Sequence, residues 1–225
     1  MSVFKTTFSR ALAVIPSNNA NIPFPATVCT GESTGIITNG STFTSGDLII
    51  GVTYEITNYE SGDDFENVGA NDNANGVRFT ATGASPTDWT NGSTLTVVGN
   101  YLIDSDAEFV TKRVAPGDII YNTTDSLVAV VLEVNSQTIL SLNADIFDSG
   151  TEQYIVYQAS PQTGLGNTGC YLYIGDSNAG KVRVTTIGGD IITFNGILQG
   201  EVLPVQVTKL WAEDTTDVDK IIALW

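Results

Sequence analysis

The sequence predicts an all-β protein in which a host domain is split by an inserted β-rich domain. Three observations lead there. Apolar and β-branched stretches of four to eight residues recur along the 225 residues, punctuated by Gly, Asn, Asp or Pro. Two of them, Lys181–Thr186 and Val205–Thr208, alternate at period two as half-buried strands do. No window carries a helical stripe of ten residues or more, and Phe65–Ala70 has room for a single helical turn.

The chain opens with a short arm, residues 1–10. Phe4 and Phe8 give it aromatic anchors, and Lys5 and Arg10 give it positive charge. On an acidic chain, this arm is where docking onto an acidic neighbour is expected. Ala11–Ile15 is an apolar run of five, short of a secretion-signal core and of a membrane span, so it reads as a first strand. Further strands are expected at Asp47–Val52, Thr53–Thr57, Val77–Thr82, Thr94–Val98, Asp118–Tyr121, Leu127–Val134, Thr138–Leu142, Gln153–Tyr157, Cys170–Ile174, Lys181–Thr186, Ile191–Phe194, Leu203–Leu210 and Ile221–Leu224. Gly188-Gly189-Asp190 reads as a hairpin loop. The runs Gly62–Gly76 and Gly175–Gly180, rich in Gly, Asn and Asp, read as turns; neither holds the GxxxxGK[ST] run of a phosphate loop.

The two ends are denser in aliphatic residues than the middle. They suggest a host domain from 1–29 plus 170–225, about 85 residues, carrying an insertion at 30–169 of about 140, with submodules near 30–100 and 101–160. Cys29 and Cys170 fall at the junctions. An inserted domain needs its ends close together, so a disulfide is one reading and two small buried apolar side chains the other. The net charge of −16 divides unevenly: the host carries six cations against seven acids, and the insertion three against eighteen.

Composition closes off several functions. There is no histidine, hence no imidazole acid or base, no serine–histidine triad and no histidine-bound metal. Nine cations on an acidic body leave no footprint for nucleic acid. Two cysteines cannot build a four-thiolate zinc site. Asp104-Ser105-Asp106-Ala107-Glu108 has the alternating carboxylates of a calcium loop, but the positions that need Gly and Glu hold Phe109 and Ala115. The other acidic groups, Asp63-Asp64, Asp145/Asp148 and Asp214/Asp217/Asp219, read as solvated loops. No catalytic residue, cofactor site or metal site is expected. Trp211 closes a strand, and Trp225 ends the chain on Ile221-Ile222-Ala223-Leu224; each is either core or a subunit contact.

One stretch resembles a known family. The segments are Ala13-Val14-Ile15-Pro16-Ser17-Asn18, then Lys181–Phe194, then Leu203-Pro204-Val205-Gln206-Val207-Thr208-Lys209-Leu210-Trp211-Ala212, and finally Ile221–Trp225. In order and spacing they resemble the head-spike base protein family of tailed phages and gene transfer agents. Within the insertion, Tyr54-Glu55-Ile56-Thr57, Asp64–Ala70, Gly76–Gly83 and Val114–Asp125 are similar to modules common in phage virion proteins.

The resemblance implies a host domain of small β-sandwich or jelly-roll type that docks on a capsid while the insertion projects. It implies a virion structural protein on the capsid surface, at a vertex, as a head-spike base or a decoration subunit, made in the host cytoplasm and acting by assembly rather than catalysis. The implied partners are the major capsid protein or neighbouring virion proteins and further copies of the chain, as a trimer or pentamer, with no nucleic acid and no membrane. A tail or fibre component and a carbohydrate-binding receptor module stay open as alternatives. The candidate interface residues are Phe4, Lys5, Phe8, Arg10, Trp211 and Trp225.

Overall fold

A computed structural model describes residues 8–159 and 169–225. The protein is all-β, its sheets are antiparallel, and its helical content among the described residues is one 3-10 turn, Glu66–Val68. The chain forms two compact units. One takes the described residues of Met1–Val28, Gly117–Val130 and Ile155–Trp225; the other takes Cys29–Pro116 and Val131–Tyr154. These limits differ from the 1–29 plus 170–225 division by placing 117–130 and the start of 155–169 with the ends. The cause is long-range burial: Ile119, Tyr121, Val128 and Tyr157 form a core with Ala20, against which Leu12 and Ile15 pack. Local composition carries no trace of that partnership.

In chain order the strands are β1 (Ala11–Ala13), β2 (Thr27–Glu32), β3 (Thr42–Phe43), β4 (Thr53–Asn58), β5 (Arg78–Thr80), β6 (Thr94–Val97), β7 (Asn100–Ile103) and β8 (Ile119–Asn122). They continue as β9 (Leu127–Val134), β10 (Ile139–Leu142), β11 (Gln153–Tyr157), β12 (Tyr171–Thr186), β13 (Ile191–Ile197), β14 (Val207–Leu210) and β15 (Thr216–Leu224).

The first unit is organised by β12, a strand of 16 residues. Its first ten or so residues pair with β15, whose outer edge takes β1; its far half pairs with β13 on one side and β14 on the other. Leu172, Ile174, Val182 and Val184 all point to one face, as period-two spacing requires, and meet Val207, Leu210, Ile221 and Ala223 in the core.

Gly175–Gly180 is therefore not a turn but the middle of β12, and this corrects the sequence expectation. The register with β15 slips between Ser177 and Lys181, and Ala179, Asp217 and Lys220 take positive φ around the slip. A bulged ribbon uses the same Gly, Asn and Asp vocabulary as a turn. The expected strand Leu203–Leu210 shortens to β14 because Pro204 has no N–H to donate. Gly188-Gly189-Asp190 does close the β12–β13 hairpin, with the Thr186 N–H donating to the Asp190 carbonyl at 2.8 Å.

The second unit holds a sheet of order β3-β6-β4-β5. Tyr54, Ile56, Phe65, Phe79, Leu95 and Trp89 form its core, with Trp89 edge-on to Phe65 at 5.4 Å. In the same unit β10 pairs with β7 and with the second half of β9. Asp47–Val52 is not a strand: Leu48 and Val52 are buried from a loop that turns at Gly51, whose φ is +94°.

Candidate functional site

Both described ends of the chain are stitched into the first unit. The Ser9 N–H donates to the Trp225 carbonyl at 2.6 Å, and the Trp225 N–H to the Arg10 carbonyl at 3.0 Å. Around this joint the Arg10 guanidinium lies 5.0 Å over the Phe24 ring and donates to the Pro25 carbonyl at 3.1 Å. Trp225 meets Phe24 edge-on at 6.2 Å, and Phe8 packs on Tyr171 at 5.8 Å. Three predicted interface residues, Phe8, Arg10 and Trp225, thus gather at the joined ends of β1 and β15. Phe4 and Lys5 lie outside the described residues. The Trp225 indole N–H is buried without a hydrogen-bond partner among the described residues.

Trp211 is elsewhere, at the far end of β12. Its ring lies beneath two cations, Lys209 at 3.8 Å and Arg183 at 5.1 Å, and its N–H donates to Thr185 Oγ1 at 2.9 Å. Arg183 is in turn paired with Glu213 at 2.8 Å and Asp214 at 3.3 Å. Burial pushes the Lys209 amine below its usual range, and its Nζ donates to the Asn18 carbonyl at 2.9 Å. Both its ring system and its N–H are committed within the unit, so Trp211 braces the end of the sheet.

Of the acidic groups, Asp148, Asp214, Asp217 and Asp219 are exposed as solvated loops are, whereas Asp63, Asp64 and Asp104 act as fasteners. The Asp63 carboxylate accepts the backbone N–H of Thr90 and Asn91 at 2.8 Å each and that of Ser93 at 2.9 Å. Asp64 accepts the N–H of Glu66 at 3.0 Å, in front of the 3-10 turn, and the amide of Asn73 at 3.0 Å. Asp104 is buried; it accepts the Tyr154 hydroxyl at 2.6 Å and the Asp106 N–H at 2.9 Å. Beside that pair is a hollow of about 260 Å³ lined by Glu32, Asp104, Asp106, Glu108, Lys112 and Tyr154 among others. Gln153 reaches Glu32 at its rim. Burial, then the hydrogen bond and charge of Asp104, raise the Tyr154 hydroxyl far above the ordinary tyrosine value, so it is a donor at neutral pH and not a base.

Cys29 and Cys170 are both thiols, with no disulfide. Burial pushes Cys170 up to about 12, and its Sγ–H points to the Val207 carbonyl at 3.5 Å. A thiol held in this way is not a nucleophile.

Sequence reasoning expected a strand at Ile191–Phe194, which is β13 (Ile191–Ile197), but not that it lies at the edge of its sheet. Ile191 and Ile192 are 53% and 42% exposed there, and Ile187, Leu198 and Val202 are exposed nearby in the chain. The available signal was the uncharged run from Ile191 to Gly200.

Comparisons with protein-family models, with curated proteins and with solved structures find no match. What the molecule presents is a braced antiparallel sheet with its chain ends tied down, and a strongly acidic second unit.

Proposed function

We propose that this chain is a structural subunit of a phage virion, placed on the capsid surface as a head-spike base or decoration protein and working by assembly. The resemblance in 181–225 supports this reading, since those residues supply β13, β14, β15 and the last six residues of β12. Charge placement supports it independently and carries most of the argument. The first unit holds six cations against nine acids, whereas the second holds three against sixteen. A near-neutral unit can pack against a large protein surface with little like-charge cost, and a strongly acidic one is favoured in solvent. The docking partner is the major capsid protein or a neighbouring virion protein, approached by the unit that contains Phe8, Arg10 and Trp225.

The test is location in an intact particle, by cryo-electron microscopy with a labelled copy of the chain. Density on the head, at vertices or between capsomers, is the expected result. Recovery of the label with isolated tails, and never with heads, overturns the assignment.

A further inference from the structure

The edge of the first unit at β13 has the properties of a strand that pairs with another strand. In the β12–β13 ladder, Val184 lies opposite Ile192 and Val182 opposite Phe194. The Thr186 N–H bond to the Asp190 carbonyl sets the phase of that ladder. Hydrogen-bonded and non-bonded pairs alternate in antiparallel sheets, so Ile192 and Phe194 bond to β12 while Ile191, Thr193 and Asn195 turn their N–H and C=O groups outward. The other side agrees, because the Arg183 carbonyl, opposite Thr193, accepts from the Trp211 N–H in the direction away from β13.

Among the described residues no strand pairs with that outer edge, where the Asn195 side-chain amide donates to the Thr193 carbonyl at a long 3.5 Å. From Ile191 to Asn195 it lacks the devices that blunt an edge: there is no charge and no proline as far as Gly200, and the bulge of β13 falls beyond this stretch, at Gly196. Two apolar side chains on it are exposed.

We infer that β13 pairs with β13 of a second copy of this chain, antiparallel about a two-fold axis at Thr193. The occupant follows from charge. Two chains of −16 repel wherever acidic surfaces meet; the uncharged strand lets two copies approach without opposing carboxylates. A strongly basic or acidic partner finds no complementary charge on it. The register follows from the phase. With Thr193 opposite its own counterpart, and Ile191 opposite Asn195 of the other copy, every outward backbone group is used. The same register sets Ile192 across from Phe194 twice, the aromatic–β-branched combination that favours cross-strand packing. This contact is independent of the particle reading. It is a two-fold, unlike the trimer or pentamer that the sequence resemblance implies.

Light scattering on the full chain over a dilution series tests it. The expected mass is twice that of the 23.8 kDa chain. Thr193→Pro removes an outward N–H and none of the bonds to β12, and it should weaken the dimer by at least roughly tenfold. In a second arm, Thr193→Cys should give a covalent dimer on mild oxidation, whereas Asn178→Cys should not. A monomer at every concentration overturns the inference. So does an assembly whose mass is unchanged by Thr193→Pro and whose Thr193→Cys form does not crosslink.

Discussion

The Asp63 carboxylate accepts the Ser93 backbone N–H at 2.9 Å across 30 residues of chain. Together with the Thr90 and Asn91 bonds this closes the loop that carries Trp89, whose own N–H donates to the Ser93 carbonyl at 2.8 Å. Burial alone would raise the Asp63 carboxyl. The bonds from Ser93 and Asn91 together outweigh it and bring the group down to about 2. A carboxyl depressed in the folded state stabilises fully above its unfolded value near 4, and that contribution is lost as pH falls toward 2. The melting temperature should fall across this window, and less steeply in Asp63→Asn. Asp63→Ala leaves the buried Ser93 N–H without its acceptor and takes one from the exposed Thr90 and Asn91, and it should cost about 1–3 kcal/mol in urea unfolding.

Tyr154 gives the opposite limb. Burial raises Tyr54, Tyr121, Tyr154 and Tyr157 above the ordinary value of 10. A neutral acid whose folded value is raised contributes its stability below the unfolded value and loses it as pH climbs past 10. A tyrosinate absorbance titration should therefore show part of the eight-tyrosine signal held back until the protein unfolds. Tyr154→Phe deletes the 2.6 Å bond to Asp104 and leaves a buried carboxylate short of a donor. It should cost about 1–3 kcal/mol and shrink the delayed fraction.

The bulged ribbon of β12 and β15 makes a backbone prediction. A Cβ on Gly180 would lie 2.6 Å from the Asp217 carbonyl oxygen, and one on Gly175 would lie 2.7 Å from that of Lys220. Neither oxygen can move without breaking the strand pairing. Gly180→Ala and Gly175→Ala should each lose about 1–3 kcal/mol. Gly188→Ala, whose nearest neighbours would be 3.6 Å away in the hairpin loop, should stay within about 1 kcal/mol of the parent by thermal melting.

The same ribbon shows where sequence legibility stops. Leu127–Val134 and Gln153–Tyr157 were readable to the residue, because β-branched and aromatic runs between turn residues have one good interpretation. Gly175–Gly180 was misread because a bulge and a turn draw on the same small polar residues. The strands Thr27–Glu32 and Thr42–Phe43 were invisible: one is Thr- and Gly-rich, the other two residues long. Phe8, Arg10 and Trp225 were singled out by composition and do come together, since an aromatic-ended apolar terminus must be paired to be stable. The separate fate of Trp211 was not legible, because it depends on Arg183 and Lys209 arriving from two strands of one sheet. The edge at β13 was overlooked for a related reason, as only the topology reveals which strand is last in a sheet.

Trp225 separates contact from hydrogen bonding. Its ring packs edge-on to Phe24 and against the core of the first unit, while its indole N–H is buried with no partner among the described residues. A buried donor left unpaired carries its desolvation cost with no return. Trp225→Phe keeps an aromatic edge for Phe24 and removes the stranded N–H, so its stability should lie within about 1 kcal/mol of the parent. Trp225→Ala removes the ring altogether and opens the joint with Phe24, and it should lose about 3 kcal/mol. Deleting Trp225 also takes away the carbonyl that receives the Ser9 N–H and the amide that bonds Arg10, so it should be at least as costly as the alanine variant. Urea melts of the three variants, run beside Arg10→Ala as a probe of the guanidinium's contacts with the Phe24 ring and the Pro25 carbonyl, give the ordering. An equal loss in Trp225→Phe and Trp225→Ala would show that the indole N–H, and not the ring contact, holds the chain end.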